Sequence, residues 1–195
     1  MELEGMKADL HRYLQVGRDA LLWKLEGLSE YDIRRPVTPT GTNLLGIVKH
    51  VASVEAGYLG EIMGRPFGES FPWFADDAEP NADMWATPDE TREDIVALYR
   101  RVWAHSDATI ESLDLTFEGI VPWWPEDKRI VTLHRLLIHM IAETQRHAGQ
   151  ADVVRETIDG AVGLRADNGN LPEGDADWWA DYCSRVEAAA RAASQ

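Results

Sequence analysis

Apolar residues recur at helical spacing along most of this chain, in five blocks separated by connections rich in proline, glycine and aromatic residues. In the first block, about residues 3–28, Leu10, Leu14, Leu21 and Leu25 share a face, and Leu22 and Trp23 widen the stripe. That pattern predicts a helix burying one side. Pro36, Pro39 and Gly41 then interrupt the chain. A second helix is predicted over residues 43–63, with Thr42 or Thr40 as its N-cap. Ile47, His50, Val51, Val54 and Tyr58 share its apolar face, and Gly64-Arg65-Pro66 ends it. A third helix begins at Thr87-Pro88-Asp89-Glu90, which fits the N-cap, first and third positions of a capping box. It runs to about residue 113. A fourth covers about residues 131–158 and stops at Asp159-Gly160. After a stretch rich in Gly and Asn, a fifth covers about residues 175–193.

No period-two alternation is long enough to suggest a sheet, and no internal repeat is apparent. The expected fold is all-α, a four-helix bundle with an appended C-terminal helix, forming one domain over residues 1–195. Connections of roughly 12 to 24 residues exceed the ~2–8 usual between neighbouring bundle helices, so at least one is expected to cross the bundle. Residues 64–87 carry Phe67, Phe71, Trp73, Phe74 and Trp85, and residues 114–130 carry Trp123 and Trp124. These aromatics argue for ordered connections that cover helix ends or line a pocket.

Composition narrows the partners. The chain has 195 residues, 45% hydrophobic and 27% charged, as expected of a soluble protein with one core. No apolar leader or membrane-length apolar run is visible, so a cytoplasmic location is expected. With 19 basic against 34 acidic residues, the net charge of −15 disfavours nucleic acid and membrane surfaces. The lone Cys183 excludes an internal disulfide and a cysteine-rich zinc site. Its position near Trp178, Trp179 and Tyr182 predicts a buried structural thiol. Apolar stripes of this kind also allow a homodimer.

The chemistry concentrates in the fourth helix. His139, Glu143 and His147 stand at successive i,i+4 positions on a stripe containing Leu136, Met140 and Val154. Neighbours in such a ladder are ~6 Å and ~40° apart, so either adjacent pair can converge on one ion. The outer two are ~12 Å apart along the axis, too far for one ion with bonds of ~2 Å. A further ligand must come from another helix, and His50 lies on an inward face. Two imidazoles and a carboxylate with one open position form a known catalytic zinc arrangement, although other divalent metals also suit such ligands. The alternative is a satisfied core histidine and a carboxylate paired with a basic residue.

The run His139 to Asp152, continuing through Arg155-Glu156 and Asp159-Gly160, resembles the DinB-like superfamily, and most closely its actinobacterial mini-circle-protein branch. The blocks Trp23 to Leu28 and Leu44 to Val51 are similar to two others of that family, in the same order. The resemblance implies a four-helix bundle holding a divalent metal, zinc or nickel, near one end. It matches the His–Glu–His variant of mycothiol-dependent maleylpyruvate isomerases at His50, Glu143 and His147, which selects that pair over His139–Glu143. Gln150 departs from the histidine common in relatives.

The activity implied is a thiol S-transferase, in which a small thiol such as mycothiol is activated for attack on an electrophilic small molecule. The three ligands would only hold the ion, and no separate catalytic residue is identified. Hydrolysis by a metal-bound water, or a non-catalytic metal-binding or stress-response role, are the alternatives. Arg146 and Arg155 are candidate contacts for carboxylates of a thiol cofactor, or partners of acidic neighbours such as Asp152 and Glu156. Trp73, Trp123 and Trp124 are candidates for the mouth of the site.

Overall fold

The computed structural model describes residues 2–194. Helix α1 (Glu2–Trp23) is followed by a short α2 (Glu30–Arg34). Helix α3 (Leu44–Glu55) continues without a break into a π-helical turn, Ala56–Glu61. Two 3₁₀ turns, Pro72–Phe74 and Ala82–Met84, lie in the long connection to α4 (Arg92–Ser112). Strands β1 (Glu118–Ile120) and β2 (Ile130–Thr132) precede α5 (Leu133–Asp159), and α6 (Ala176–Ala193) closes the chain.

The main packing pairs are α1 with α5, α5 with α3, α3 with α4, and α4 with α1. The ring order is therefore α1, α5, α3, α4. Helices α1 and α3 are diagonal, as are α4 and α5, so residues 24–43 and 113–132 both cross the bundle. The longest connection joins the neighbours α3 and α4, so closing the bundle does not require its length.

Two large apolar clusters and a small third one, Ala56, Leu98 and Val102, fill the interior. One large cluster includes Leu21, Leu45, Ile47, Tyr99 and Val154, and the other Leu14, Leu59, Met63, Leu136 and Met140. On α1, Arg18 falls between Leu14 and Leu21 and is fully buried. It spans the diagonal to Glu55 on α3, Nη2 to Oε1 at 2.5 Å, and reaches Asp107 on α4 at 2.7 Å. Burial works against its charge, but Glu55 and Asp107 more than offset this and raise its pKa. A guanidinium presents donors to several acceptors at once, which lets one side chain tie three helices together.

Several local expectations are corrected. Helix α1 stops at Trp23, five residues before Leu28, because Gly27 takes φ 74° in the turn that follows. The N-cap of α3 is Asn43, whose side chain accepts from the Gly46 N–H, and neither Thr42 nor Thr40 takes that place. The capping box of α4 lies one turn later than expected, at Thr91 with Asp94. Thr87 to Glu90 is a turn in which the Glu90 carboxylate accepts from the Thr87 N–H and from Lys49. Residues Glu118–Ile120 pair antiparallel with Ile130–Thr132, a small sheet the alternation did not reveal. Cys183 is exposed, since no residue of α6 is buried.

Candidate metal centre

Helix α5 presents Glu143 and His147 one turn apart, and α3 packs beside it carrying His50. His147 Nε2 lies 3.0 Å from Glu143 Oε1, and His50 Nε2 lies 3.7 Å from the same oxygen. The two imidazoles meet edge to face with centroids 4.8 Å apart. One donor atom from each residue lies within 4.8 Å of the others, the single such group of three among the described residues. His139 stands apart from it. Its ring packs between Tyr58 and Trp124, at 4.7 and 5.1 Å, and burial lowers its pKa.

The outer nitrogens decide what the inner ones can do. His50 Nδ1 is 2.6 Å from Asp83 Oδ2, and His147 Nδ1 is 2.8 Å from Gln150 Oε1. A carboxylate and an amide oxygen only accept, so each Nδ1 carries the proton and donates it. Each Nε2 of a neutral ring then offers a lone pair. Burial first, and the neighbouring His50 second, lower the His147 pKa and favour that neutral ring. Burial acts to raise the Glu143 pKa, but the adjoining His147 and His50 outweigh it and the net direction is down. With both rings neutral, two nitrogen lone pairs and the Glu143 carboxylate converge on one point. Acceptors so placed repel one another unless a cation joins them, and nitrogen and carboxylate donors suit a divalent transition metal.

A cavity of about 670 Å³ opens against this group, and His50, Asp83, Glu143 and His139 form part of its wall. The π-helical turn adds Gly57, Tyr58 and Glu61, and the long connection adds Phe67, Phe71 and Phe74. An extra backbone residue in a helix shifts the side chains that follow, and such turns recur at functional sites. From the β1–β2 loop, Trp123 reaches the cavity, and its indole N–H donates to the Tyr58 hydroxyl at 3.2 Å. Trp124 donates to the same hydroxyl at 3.1 Å.

The other sequence candidates lie elsewhere. Trp73 donates to Ser53 Oγ at 2.9 Å and packs under the Lys49 ammonium at 4.1 Å, behind the cavity wall. Arg155 is buried, donates to the carbonyls of Lys24 and Glu26, and forms a paired contact with Asp159. Arg146 is exposed on α5 and does not line the cavity. The sequence carries no local signal for Asp83. Asp and Asn are common in loops, and its contact with His50 depends on how the long connection folds back.

The fold and site define a helical bundle whose diagonal crossovers leave room for a two-histidine, one-carboxylate centre beside an aromatic cavity. Within that class the chain belongs to the mycothiol-S-transferase family, whose model matches residues 9–160. No curated protein and no solved structure matches the chain. No helix among the described residues is long and apolar enough to cross a membrane.

Proposed function

We propose that the protein is a divalent-metal-dependent thiol S-transferase, with His50, Glu143 and His147 as the ligands. A low-molecular-weight thiol such as mycothiol would be the co-substrate, and an electrophilic small molecule the acceptor. The convergence of three lone-pair donors on one point beside an apolar cavity carries this reading, together with membership of the family. Zinc fits the donor set best, and nickel is the alternative. When bound, such an ion lowers the pKa of a coordinated thiol from its ordinary ~8.5 and supplies a thiolate at neutral pH.

The chain's own groups hold the geometry. Asp83 and Gln150 fix the two imidazole rings through their Nδ1–H groups. Such outer partners orient ligands and raise their basicity. Tyr58 and Trp123 form part of a wall that limits water around the reacting atoms. No side chain is assigned as a general base. Neither Arg155 nor Arg146 lines the cavity, so we assign the cofactor no contact with them and keep Trp123 as the candidate contact.

Metal analysis tests the proposal. After reconstitution with zinc, about one ion per chain is expected, and Glu143→Ala should release it, since three protein ligands are the usual minimum. With mycothiol and a model electrophile, product should form only when both thiol and metal are present. Failure to retain any divalent metal after reconstitution would overturn the reading. Product formed without thiol would replace it with hydrolysis.

A further inference from the structure

Two properties of the cavity restrict what enters it. Its wall is aromatic in two groups: Phe67 and Phe71 stack at 6.1 Å with planes 9° apart, and Tyr58 meets Trp123 edge to face at 5.6 Å. Its charged lining is entirely acidic, with Glu61, Glu69, Asp83 and Glu143 and no Lys or Arg. Three of these carboxylates are accounted for. Glu69 pairs with Arg101 at 2.9 Å, Asp83 accepts from His50 at 2.6 Å, and Glu143 is one of the three converging donors, with His147 Nε2 at 3.0 Å. The Glu61 side chain makes no hydrogen bond or ion pair among the described residues.

From this we propose that the cavity selects flat apolar molecules that are uncharged or cationic, and rejects anionic ones. The S-transferase reading makes such a molecule the electrophile, whereas the selection by shape and charge rests on the cavity alone. An anion entering here gives up hydration and meets the exposed, unpaired Glu61 carboxylate at the rim, while the Arg101 guanidinium beside the wall is already held by Glu69. A divalent cation at the three donors balances Glu143 and Asp83 and still leaves Glu61 uncompensated. Uncharged rings lose little on leaving water and stack on the aromatic wall. Organic cations gain from the faces of Trp and Tyr.

Gly57 provides a way to test this. It lines the cavity, and a Cβ added there meets nothing within 4 Å. Its φ is not in the left-handed region, so a larger side chain can project into the space without backbone strain.

The experiment uses the full-length protein, zinc-loaded and without thiol, and two fluorescent probes on one ring skeleton. N-phenyl-α-naphthylamine is uncharged, and anilinonaphthalene sulfonate is its anionic counterpart. The uncharged probe is expected to bind at least about tenfold more tightly. Gly57→Leu should remove its binding, and Trp123→Ala, at a largely exposed position, should weaken it. Glu61→Gln should narrow the gap between the probes, whereas Glu187→Gln, remote on α6, should leave it unchanged. Equal affinity for both probes, binding of the uncharged probe that survives Gly57→Leu, or an equal response to the two glutamate changes would each overturn the proposal. Because no thiol is present, these outcomes are independent of whether transfer occurs.

Discussion

Asp83 holds a larger share of the candidate site than its place in a loop suggests. An imidazole that binds a metal through Nε2 needs its proton on Nδ1, and an acceptor there fixes both tautomer and ring angle. Asp83 supplies that acceptor to His50, and its carboxylate is 15% exposed, where hydrogen bonds are not diluted by solvent. Replacing Asp83 with Ala is expected to weaken metal binding about 10- to 100-fold, in the range found for such outer partners. Asp83→Asn retains one acceptor oxygen and should recover most of the loss. Competition with a chromophoric chelator measures both, and an unchanged affinity in the Ala variant would show that His50 needs no orienting partner. On the other imidazole, Gln150 occupies the position where relatives are expected to carry histidine, and its amide oxygen accepts from His147. That exchange therefore preserves a hydrogen-bond acceptor, as a neutral histidine nitrogen could. Helix periodicity placed His50, His139, Glu143 and His147 on inward faces, but the choice of His147 over His139 came from the family resemblance and not from spacing. Asp83 lacks such a signal, because its side chain is aimed by a contact 33 residues away in sequence, across the long connection between α3 and α4.

At the scale of elements, the start of α3 controls whether Asp83 reaches its place. The Asn43 side chain caps the helix by accepting from Gly46, and its amide donates to the Met84 carbonyl at 3.0 Å. Gly46 faces that same carbonyl, and a Cβ there would overlap the Met84 carbonyl oxygen and carbon. Backbone cannot move aside as a flexible side chain can. Gly46→Ala should therefore displace the 3₁₀ turn that carries Asp83, lowering metal affinity as Asp83→Ala does. It should also destabilise the fold, by about 1–3 kcal/mol as for other overpacked sites, measured by urea denaturation. An Ala variant with unaltered stability and affinity would show that the turn is not held by this contact.

The C-terminal end of α5 offers a second test. Arg155 clamps the carbonyls of the turn after α1 and pairs with Asp159. Its bond to Asp159 is the main cause of the lowered Asp159 pKa, with burial opposing. A depressed folded pKa means stability that is present above the unfolded value of ~3.9 and lost as pH falls through the folded one. Asp159→Asn should thus be less stable than the parent at pH 7, with the gap closing as the pH drops below about 4. A gap independent of pH would assign the effect to packing instead of charge. The helix blocks themselves were readable from their periodicity. Their ends were less so, because the competing caps Asn43 and Thr91 each stand close to another plausible capping residue, and only the surrounding contacts choose between them.

Across the whole molecule, the matched family region ends at residue 160, where α5 ends, and α6 lies beyond it. Helix α6 has an amphipathic sequence, yet none of its residues is buried. Trp178 and Tyr182 stack on each other, at 5.6 Å with planes 6° apart, without entering the bundle core. An apolar stripe shows that a helix has a face to cover, but not that a partner covers it, which is why Cys183 is exposed where the pattern alone predicts burial. The preceding segment is different. The Leu164 carbonyl accepts from the Trp23 indole, and the Gly163 carbonyl accepts from the buried Lys24, so residues near 163 hold on to the turn after α1. The core and the three donors should therefore be complete without α6, provided the chain is cut after these contacts. A chain ending at Asn170 is expected to keep its metal affinity, since no donor or orienting residue is lost. Removal of a surface helix with no fully buried residue should change stability by no more than about 0.5 kcal/mol. For a domain of this size that is a shift in Tm of roughly 2 °C or less. Calorimetry on both chains with a metal titration checks the prediction, and a fall of several degrees or loss of the metal would mean that α6 packs on the bundle and completes its core.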